Sequence, residues 1–304
     1  MSSARFYEIY DVFTDKALAG NPLAIVHDAQ GLSDAEMLSI AREFNLCETV
    51  FVSPPQNPLH TAALRIFTPG FELPFAGHPT VGTAISLAAK LKSETEVDQI
   101  VVLEEKIGLV RCVVNSQDKV SFAEFDLPQL PKQLDIKIEK EEAAAAIGLG
   151  AHEIGFENHI SGVWSAGAPY LMIPVANMIA AAKVSVDPVF VRENLTNVNG
   201  RSLPIYIYCR DTRLFDSDYH ARMFVTEGNV YEDPATGSAA AAFAGVVHRF
   251  DQPLDGVAQI WIEQGIEMGR QSRIRLELEI KQQEITNARI GGSAVKVADG
   301  HLYI

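Results

Sequence analysis

Gly77-His78-Pro79-Thr80-Val81-Gly82-Thr83-Ala84 is the first copy of a motif that occurs twice in this chain of 304 residues. The second copy is Glu232-Asp233-Pro234-Ala235-Thr236-Gly237-Ser238-Ala239. Each copy has a polar residue, then proline, then glycine three residues on, then a hydroxyl residue and alanine. His78 and Asp233 are 155 residues apart, which is about half of the chain. This spacing predicts two similar halves whose polar loops, each ending at the start of a helix, face each other across a cleft.

The helices that follow the two motifs, predicted over 79–91 and 234–248, lack a polar stripe. A helix that is apolar on all sides is a buried helix, and its small residues allow close packing inside a surrounding sheet. The sequence therefore predicts an α+β fold with two similar domains, each a curved mixed sheet wrapped around a central apolar helix. A weaker match between Gly20-Asn21-Pro22 and Gly167-Ala168-Pro169 supports the same duplication.

The segment Leu127-Pro128-Gln129-Leu130-Pro131-Lys132 has the composition of a linker. It predicts an N-terminal domain over 1–126 and a C-terminal domain over 127–293. Within the first domain, Ser33 and Glu36 have the spacing of a capping box, which predicts a helix that runs to about Asn45.

The composition excludes some classes of function. The formal net charge is −14, which argues against nucleic-acid binding because that needs clustered lysine and arginine. The uncharged residues 160–182 are long enough to span a bilayer, but their glycines and prolines favour strands and a helix start, so we expect no membrane segment. Three widely spaced cysteines and an N-terminus without an apolar signal core predict a cytoplasmic protein.

The two motifs are candidate binding sites for an anion. Pro79 and Pro234 suit the first position of a helix, which would place His78 and Asp233 at the N-caps. Backbone N–H groups and the positive end of the helix dipole would then bind a small carboxylate, keep Asp233 ionised and disfavour protonation of His78. The alternative is that both residues are only caps.

Glu48 is the candidate proton carrier, because it lies between a predicted helix end and the apolar strand Thr49-Val50-Phe51-Val52. Apolar surroundings would raise the pKa of its carboxyl group, so that it could accept and donate a proton near neutral pH. The alternative is a glutamate that faces solvent at the start of a strand. The adjacent Cys47 is expected to be a packing residue.

Other motifs are weak or missing from the sequence. The eight histidines form no HxxH or HExxH pattern, so we expect no metal site. Gly148-Leu149-Gly150 is not followed by a third glycine at the spacing of a dinucleotide-binding loop. The sequence therefore predicts no cofactor.

Several motifs, taken in order along the chain, resemble the PhzF-like family, which is named for the phenazine-biosynthesis isomerase. These are Gly20-Asn21-Pro22, Glu48-Thr49, Phe67-Thr68-Pro69 with Glu72, Phe75-Ala76-Gly77-His78-Pro79-Thr80, Glu232-Asp233-Pro234-Ala235-Thr236-Gly237-Ser238-Ala239, and Gln264-Gly265 with Met268-Gly269-Arg270. The resemblance covers nearly the whole chain. It implies the diaminopimelate-epimerase-like fold, with the active site between the two domains and residues 294–304 returning to the first.

The resemblance also implies a cofactor-independent isomerase that moves a proton on a small carboxylic acid. By this resemblance, Glu48 carries the proton and His78 and Asp233 assist as catalytic residues. Gly77, Gly237 and Ser238 would bind the substrate.

Related epimerases and racemases place a cysteine in each of the two loops, and neither loop has one here. An epimerase or racemase without catalytic cysteines, and a non-catalytic acid-binding protein of the same fold, remain the alternatives. The resemblance leaves a homodimer open.

Overall fold

The structure, a computed structural model, describes residues 4–91, 98–116, 120–196, 200–228 and 230–304. Its residues cluster into two units. Unit 1 comprises Met1–Asp126 with Gly291–Ile304, and unit 2 comprises Leu127–Ile290. The elements of unit 1 are β1 (Ala4–Val12), β2 (Asn21–Val26), α1 (Asp34–Phe44), β3 (Glu48–Ser53), β4 (Ala62–Phe67), β5 (Glu72–Leu73), α2 (Gly77–Leu91), β6 (Asp98–Glu105), β7 (Gly108–Asn115) and β8 (Phe122–Asp126).

Unit 2 continues with β9 (Lys132–Leu134), α3 (Lys140–Ala146), β10 (Gly162–Ser165), β11 (Pro169–Pro174), α4 (Met178–Lys183), α5 (Pro188–Asn194), β12 (Ile205–Cys209), β13 (Tyr219–Val225), β14 (Tyr231–Asp233), α6 (Gly237–Asp251), β15 (Gly256–Gln264) and β16 (Ser272–Lys281). The last strand, β17 (Glu284–Tyr303), begins in unit 2 and ends in unit 1.

The two units have the same strand pairing. In unit 1, β2 runs antiparallel to β1 and parallel to β3, and β4 runs antiparallel to β3 and β5 but parallel to β6. In unit 2, β11 runs antiparallel to β10 and parallel to β12. Likewise, β13 runs antiparallel to β12 and β14 but parallel to β15. Both units are therefore mixed sheets of one topology, as the internal motif predicts.

The central helices α2 and α6 are buried over most of their length, because small apolar side chains cover all of their sides. Two glycines allow the closest approaches. A Cβ on Gly82 would lie 2.7 Å from side-chain atoms of Val12 and Leu23, and one on Gly245 would lie 2.5 Å from the Trp164 ring. Each sheet thus packs directly onto its helix, and the predicted α+β fold is confirmed.

The structure corrects the alignment of the two motifs. The helices begin at Gly77 and Gly237, which are 160 residues apart, rather than at the prolines 155 residues apart. Pro79 is the third residue of α2, whereas Pro234 precedes α6. The true counterpart of Pro234 is Pro74, since Glu72-Leu73-Pro74 and Glu232-Asp233-Pro234 both end a short strand before a helix.

Other local predictions are confirmed. Ser33 and Glu36 form the capping box of α1, and Asn45 ends that helix in the left-handed conformation with φ of 51°. Residues 160–182 form β10, β11 and the start of α4, and within the described part of the chain no helix is long and apolar enough to cross a membrane. The twenty-residue strand β17 is the main element that the sequence did not predict.

Candidate functional site

Glu48 is the first residue of β3, immediately after the loop that follows α1. In the parallel pair of β2 and β3 it lies opposite Leu23. The next four residues of the strand are buried, and the side chain of Glu48 retains 17% of its exposure. The carboxyl group therefore lies at the N-terminal end of an apolar strand, with its Oε2 atom buried and the side chain still partly exposed.

His78 lies beside Glu48. Nε2 of His78 and Oε2 of Glu48 are 3.4 Å apart, and the histidine side chain is 5% exposed. Burial lowers the pKa of His78 to about 3, so its imidazole is neutral at physiological pH. Nε2 is buried and has no hydrogen-bond partner among the described residues.

The sequence predicted His78 at the N-cap of its helix, and this position is wrong. Since α2 begins at Gly77, His78 is the second helical residue. The histidine nevertheless stays in the first turn, near the N–H groups that have no partner within the helix. Burial accounts for its low pKa.

Asp233 is not an N-cap either, because Thr236 is the N-cap of α6 and Asp233 ends β14. The hydroxyl of Thr236 donates to the Asp233 carboxylate. Nε2 of Gln264 donates to the Asp233 carbonyl at 2.7 Å and to Thr236 Oγ1 at 3.1 Å. The turn is therefore held by the side chain of its own Thr236 and by that of Gln264 from β15, and Asp233 is 7% exposed within it.

Gly237 and Ser238 are the first two residues of α6. They correspond to Gly77 and His78 of α2. The hydroxyl of Ser238 lies 2.6 Å from that of Tyr170, a 6% exposed residue of β11. The two helices therefore begin with different chemistry: an imidazole beside a carboxyl group in unit 1, and a pair of hydroxyl groups in unit 2.

A duplicated ion pair, which was not predicted from the sequence, supports both turns. Nε and Nη2 of Arg65 bind the two carboxylate oxygens of Glu72 at 2.8 and 2.9 Å, and Arg222 binds Glu232 in the same way at 2.8 Å. Each guanidinium also stacks over the phenylalanine two residues later. The repeated Arg-x-Phe pattern, 65–67 and 222–224, is the signal that could have revealed the pair.

One cluster of the described residues has the composition of a metal site. Ligand atoms of Glu157, His159 and Asp251 lie within 4.8 Å of one another. The guanidinium of Arg210 bonds to Asp251 and lies 3.4 Å from Glu157, so it already supplies positive charge to these carboxylates. The cluster is therefore an ion-pair network of unit 2.

The structure thus brings Glu48, Gly77 and His78 together in unit 1. In unit 2 it brings together Asp233, Gly237 and Ser238, at the end of β14 and the start of α6.

Comparison with known proteins agrees with the fold and the motifs. The family model described as "Phenazine biosynthesis-like protein" matches residues 10–300. An uncharacterized isomerase of Mesorhizobium japonicum is 55% identical over 301 residues, which cover 99% of each chain. The trans-2,3-dihydro-3-hydroxyanthranilate isomerase of Pseudomonas aeruginosa is 33% identical over 98% of this chain and 99% of its own length.

Solved structures give the same result. A phenazine biosynthesis protein of the PhzF family from Bacillus anthracis matches with a TM-score of 0.86 and 26% identity, over 99% of this chain and 100% of its own. A hydroxyproline epimerase from Agrobacterium vitis has a TM-score of 0.63 at 13% identity, covering 100% of this chain and 94% of its own, which supports the fold alone. The chain therefore belongs to the phenazine biosynthesis-like (PhzC–PhzF) family of isomerases.

Proposed function

We propose that this protein is a cofactor-independent isomerase that shifts a proton on a small carboxylic acid, with Glu48 as the proton carrier. The observation that carries the proposal is the position of Glu48, 3.4 Å from a buried neutral His78 in the first turn of α2. General acid–base catalysis requires a titratable group that can reach the reacting carbon. A partly exposed carboxyl group at the start of an apolar strand is suited to that role.

The proposed reaction conserves all atoms of the substrate. Glu48 removes a proton from a carbon next to a double bond, and the electron pair moves through the conjugated system. The protonated Glu48 then returns the proton to a different carbon. The double bond has then moved and the carboxyl group of Glu48 is ionised again. Neutral His78 can donate or accept a hydrogen bond without adding charge to the intermediate.

The substrate carboxylate is assigned to backbone N–H groups at the helix starts, Gly77 in unit 1 and Gly237 with Ser238 in unit 2. Helix N-termini bind anions through such groups. The proposal includes Asp233 as a second catalytic residue acting on the same substrate.

The cysteines disfavour a racemase that uses two thiols. Cys112 and Cys209 are buried, and burial raises the pKa of both thiols, that of Cys209 to about 12. Cys47 is the remaining cysteine of the chain. The three cysteines therefore do not supply the two opposed thiolates that such a racemase needs.

The duplication also disfavours a pair of equivalent bases. Thr49 pairs with Phe67 and Ile205 pairs with Phe224, so the position of Glu48 corresponds to Pro204 in unit 2. Proline cannot carry a proton. The carboxyl group of Glu48 thus has no counterpart at the matching position of unit 2.

The test is turnover in D2O with a panel of small unsaturated acids that includes trans-2,3-dihydro-3-hydroxyanthranilate, the compound in the name of the Pseudomonas relative. A double-bond shift places deuterium on a new carbon. Glu48→Gln should lower turnover by about 10²–10⁴-fold, the usual contribution of general acid–base catalysis. Ligand affinity should persist, since the backbone holds the carboxylate.

Cys47→Ala is the matched control, because it changes the adjacent residue without removing the proton carrier. It should retain turnover. Full turnover by Glu48→Gln, or loss of turnover in Cys47→Ala, would show that the proton carrier is assigned to the wrong residue. Deuterium at an inverted stereocentre would instead identify an epimerase.

A further inference from the structure

Glu105, the last residue of β6, is a buried acid that the proposed reaction does not use. It is 8% exposed and lies on the same face of the strand as Val101 and Leu103, which are fully buried. Cys112 of β7 is the titratable group that interacts with it. Among the described residues, no charged side chain of α2 or β4 has an electrostatic interaction with Glu105. The acid therefore lacks a cation to balance a negative charge.

The contact that Glu105 makes is with Thr80 in the first turn of α2. Oγ1 of Thr80 lies 2.8 Å from Oε1 of Glu105 and 2.8 Å from the carbonyl oxygen of Ala76. A hydroxyl group has one hydrogen to donate and can accept from another donor. Both contacts are hydrogen bonds only if Glu105 is protonated, so that it donates to Thr80 and Thr80 donates to Ala76.

The second unit has a neutral side chain at the corresponding strand position. Leu103 pairs with Ala62 in unit 1, and Ile262 pairs with Tyr219 in unit 2. Arg65, of the duplicated ion pair, lies three residues after Ala62, and its counterpart Arg222 lies three residues after Tyr219. The pairing of β4 with β6 therefore has the same register as the pairing of β13 with β15. Glu105 lies two residues after Leu103, and Gln264 lies two residues after Ile262. Glu105 and Gln264 therefore occupy corresponding positions in the two units.

Gln264 uses its amide to hold the turn before α6. Its Nε2 donates to Asp233 O and Thr236 Oγ1, and its Oε1 accepts from the N–H of Thr236 at 3.3 Å. A protonated carboxyl group, like an amide, offers one donor and one acceptor. A neutral Glu105 thus has the same kinds of hydrogen-bonding group as Gln264, but it contacts Thr80 within α2 rather than the turn before the helix, and its Oε2 has no hydrogen-bond partner among the described residues.

The Ala76 carbonyl belongs to the same peptide unit as the N–H of Gly77. Because that unit is planar and trans, its C=O and N–H point in opposite directions, and fixing one fixes the other. We propose that Glu105 is a positioning residue whose neutral carboxyl group, through Thr80, aligns the Gly77 N–H for a substrate carboxylate, and that its ionisation weakens carboxylate binding. This rests on the proposed role of Gly77 in binding the substrate.

The direction of the pH effect follows from the environment. Burial is the dominant cause, and it raises the pKa of Glu105 to about 8. Below that pH the positioning chain is intact. Above it, Glu105 loses the proton that it donates, and a negative charge appears behind the turn that binds the carboxylate.

The experiment compares the wild type with Glu105→Gln, which places in unit 1 the residue that unit 2 already has. Anthranilate is the probe, because its carboxylate is ionised throughout and no group of it titrates between about pH 7 and about pH 9.5. Affinity is measured by calorimetry at both pH values. Asp98→Asn is the control, since it removes an exposed carboxylate from the same strand.

We expect wild type and Asp98→Asn to bind anthranilate about tenfold more weakly at the higher pH, a modest effect for a like charge near a bound anion. Glu105→Gln should keep its affinity to within about twofold, since an amide does not ionise. An unchanged wild type, or an equal loss in Glu105→Gln, would overturn the proposal while leaving the proposed function intact.

The amide resonance of Gly77 gives a readout without ligand. In the wild type it should shift with the ionisation of Glu105, and in Glu105→Gln it should not. If anthranilate binds neither protein, the proposed role of Gly77 as a carboxylate site is contradicted, and the Gly77 resonance decides the positioning role. A resonance that moves equally in both proteins overturns that role.

Discussion

Gly265 lies directly against the carbonyl group of Pro234. A Cβ atom on Gly265 would be 2.6 Å from Pro234 O and 2.5 Å from Arg270 O, and the residue has φ of +75°. Ser272 donates a further hydrogen bond to Pro234 O at 2.9 Å. The turn that carries Asp233 is thus packed on a backbone surface that only glycine can provide.

Gly265→Ala should therefore destabilise the protein more than Gly269→Ala. Gly269 has φ of +69°, but a Cβ there would meet no atom within 4 Å. Both variants carry the cost of a left-handed alanine, roughly 1–2 kcal/mol. Only Gly265→Ala adds overpacking, about 1–3 kcal/mol more. Urea unfolding of the two variants measures the difference, and equal free energies of unfolding would contradict the close contact.

His78 should remain neutral well below the pH at which free imidazole is protonated. Burial lowers its pKa to about 3 from the ordinary value of 6.5. Its side-chain nitrogen NMR signals should therefore keep the neutral pattern from about pH 8 to about pH 5, with free imidazole in the same buffers as reference. The unfolded chain takes up this proton below about pH 6.5 and the folded chain does not, so stability falls as the pH is lowered through that value. A transition of the His78 signals near pH 6.5 would contradict this.

Asp233→Asn should lower turnover while preserving the fold of unit 2. Asparagine can still accept the hydrogen bond from Thr236, and Gln264 binds the main chain of residue 233 rather than its side chain. Loss of the negative charge should reduce substrate positioning and turnover together, by roughly 10²-fold. Steady-state kinetics and thermal unfolding measure the two effects, with the exposed Asp211→Asn as control. Unchanged kinetics would remove Asp233 from the catalytic residues.

Glu105→Gln should change how stability depends on pH. The folded protein retains the proton of Glu105 up to about pH 8, whereas the unfolded chain releases it at the ordinary value of 4.5. Between these values the folded state binds more protons, so wild-type stability falls as the pH rises, by at most about 1.4 kcal/mol per pH unit from this residue. The variant should lack this slope between about pH 5 and about pH 8. Parallel stability curves for the two proteins in urea would contradict a raised pKa.

The sequence predicted the buried helices α2 and α6 well, because a helix with no polar stripe is stable only when it is buried in the protein interior. It misplaced their starts by two and three residues, since proline is found both at the first position of a helix and in the turn before it. Pro79 is the third residue of α2 and Pro234 lies in the turn before α6, so neither takes the first position of a helix, which explains the wrong N-cap assignment of His78 and Asp233.

Two features could not be predicted from the order of residues along the chain. The correspondence of Glu105 with Gln264 depends on strand register, which only the paired backbones reveal. The strand β17 contains Gly291 and Gly300, residues that weaken an isolated strand but are tolerated here because neighbouring side chains pack closely against them.

The path of β17 has a consequence for the order in which the protein can fold on the ribosome. Residues 294–303 pair with residues 4–12 of β1, so β1 acquires one of its two neighbours from a segment that is made only after unit 2. Unit 2 consists of one uninterrupted segment and has all of its residues earlier. Synthesis therefore leaves unit 1 with an open edge at β1 until residues 294–303 have been made, and exposed strand edges are where chains aggregate. Transplanting residues 291–304 to precede residue 4 by circular permutation would remove that delay.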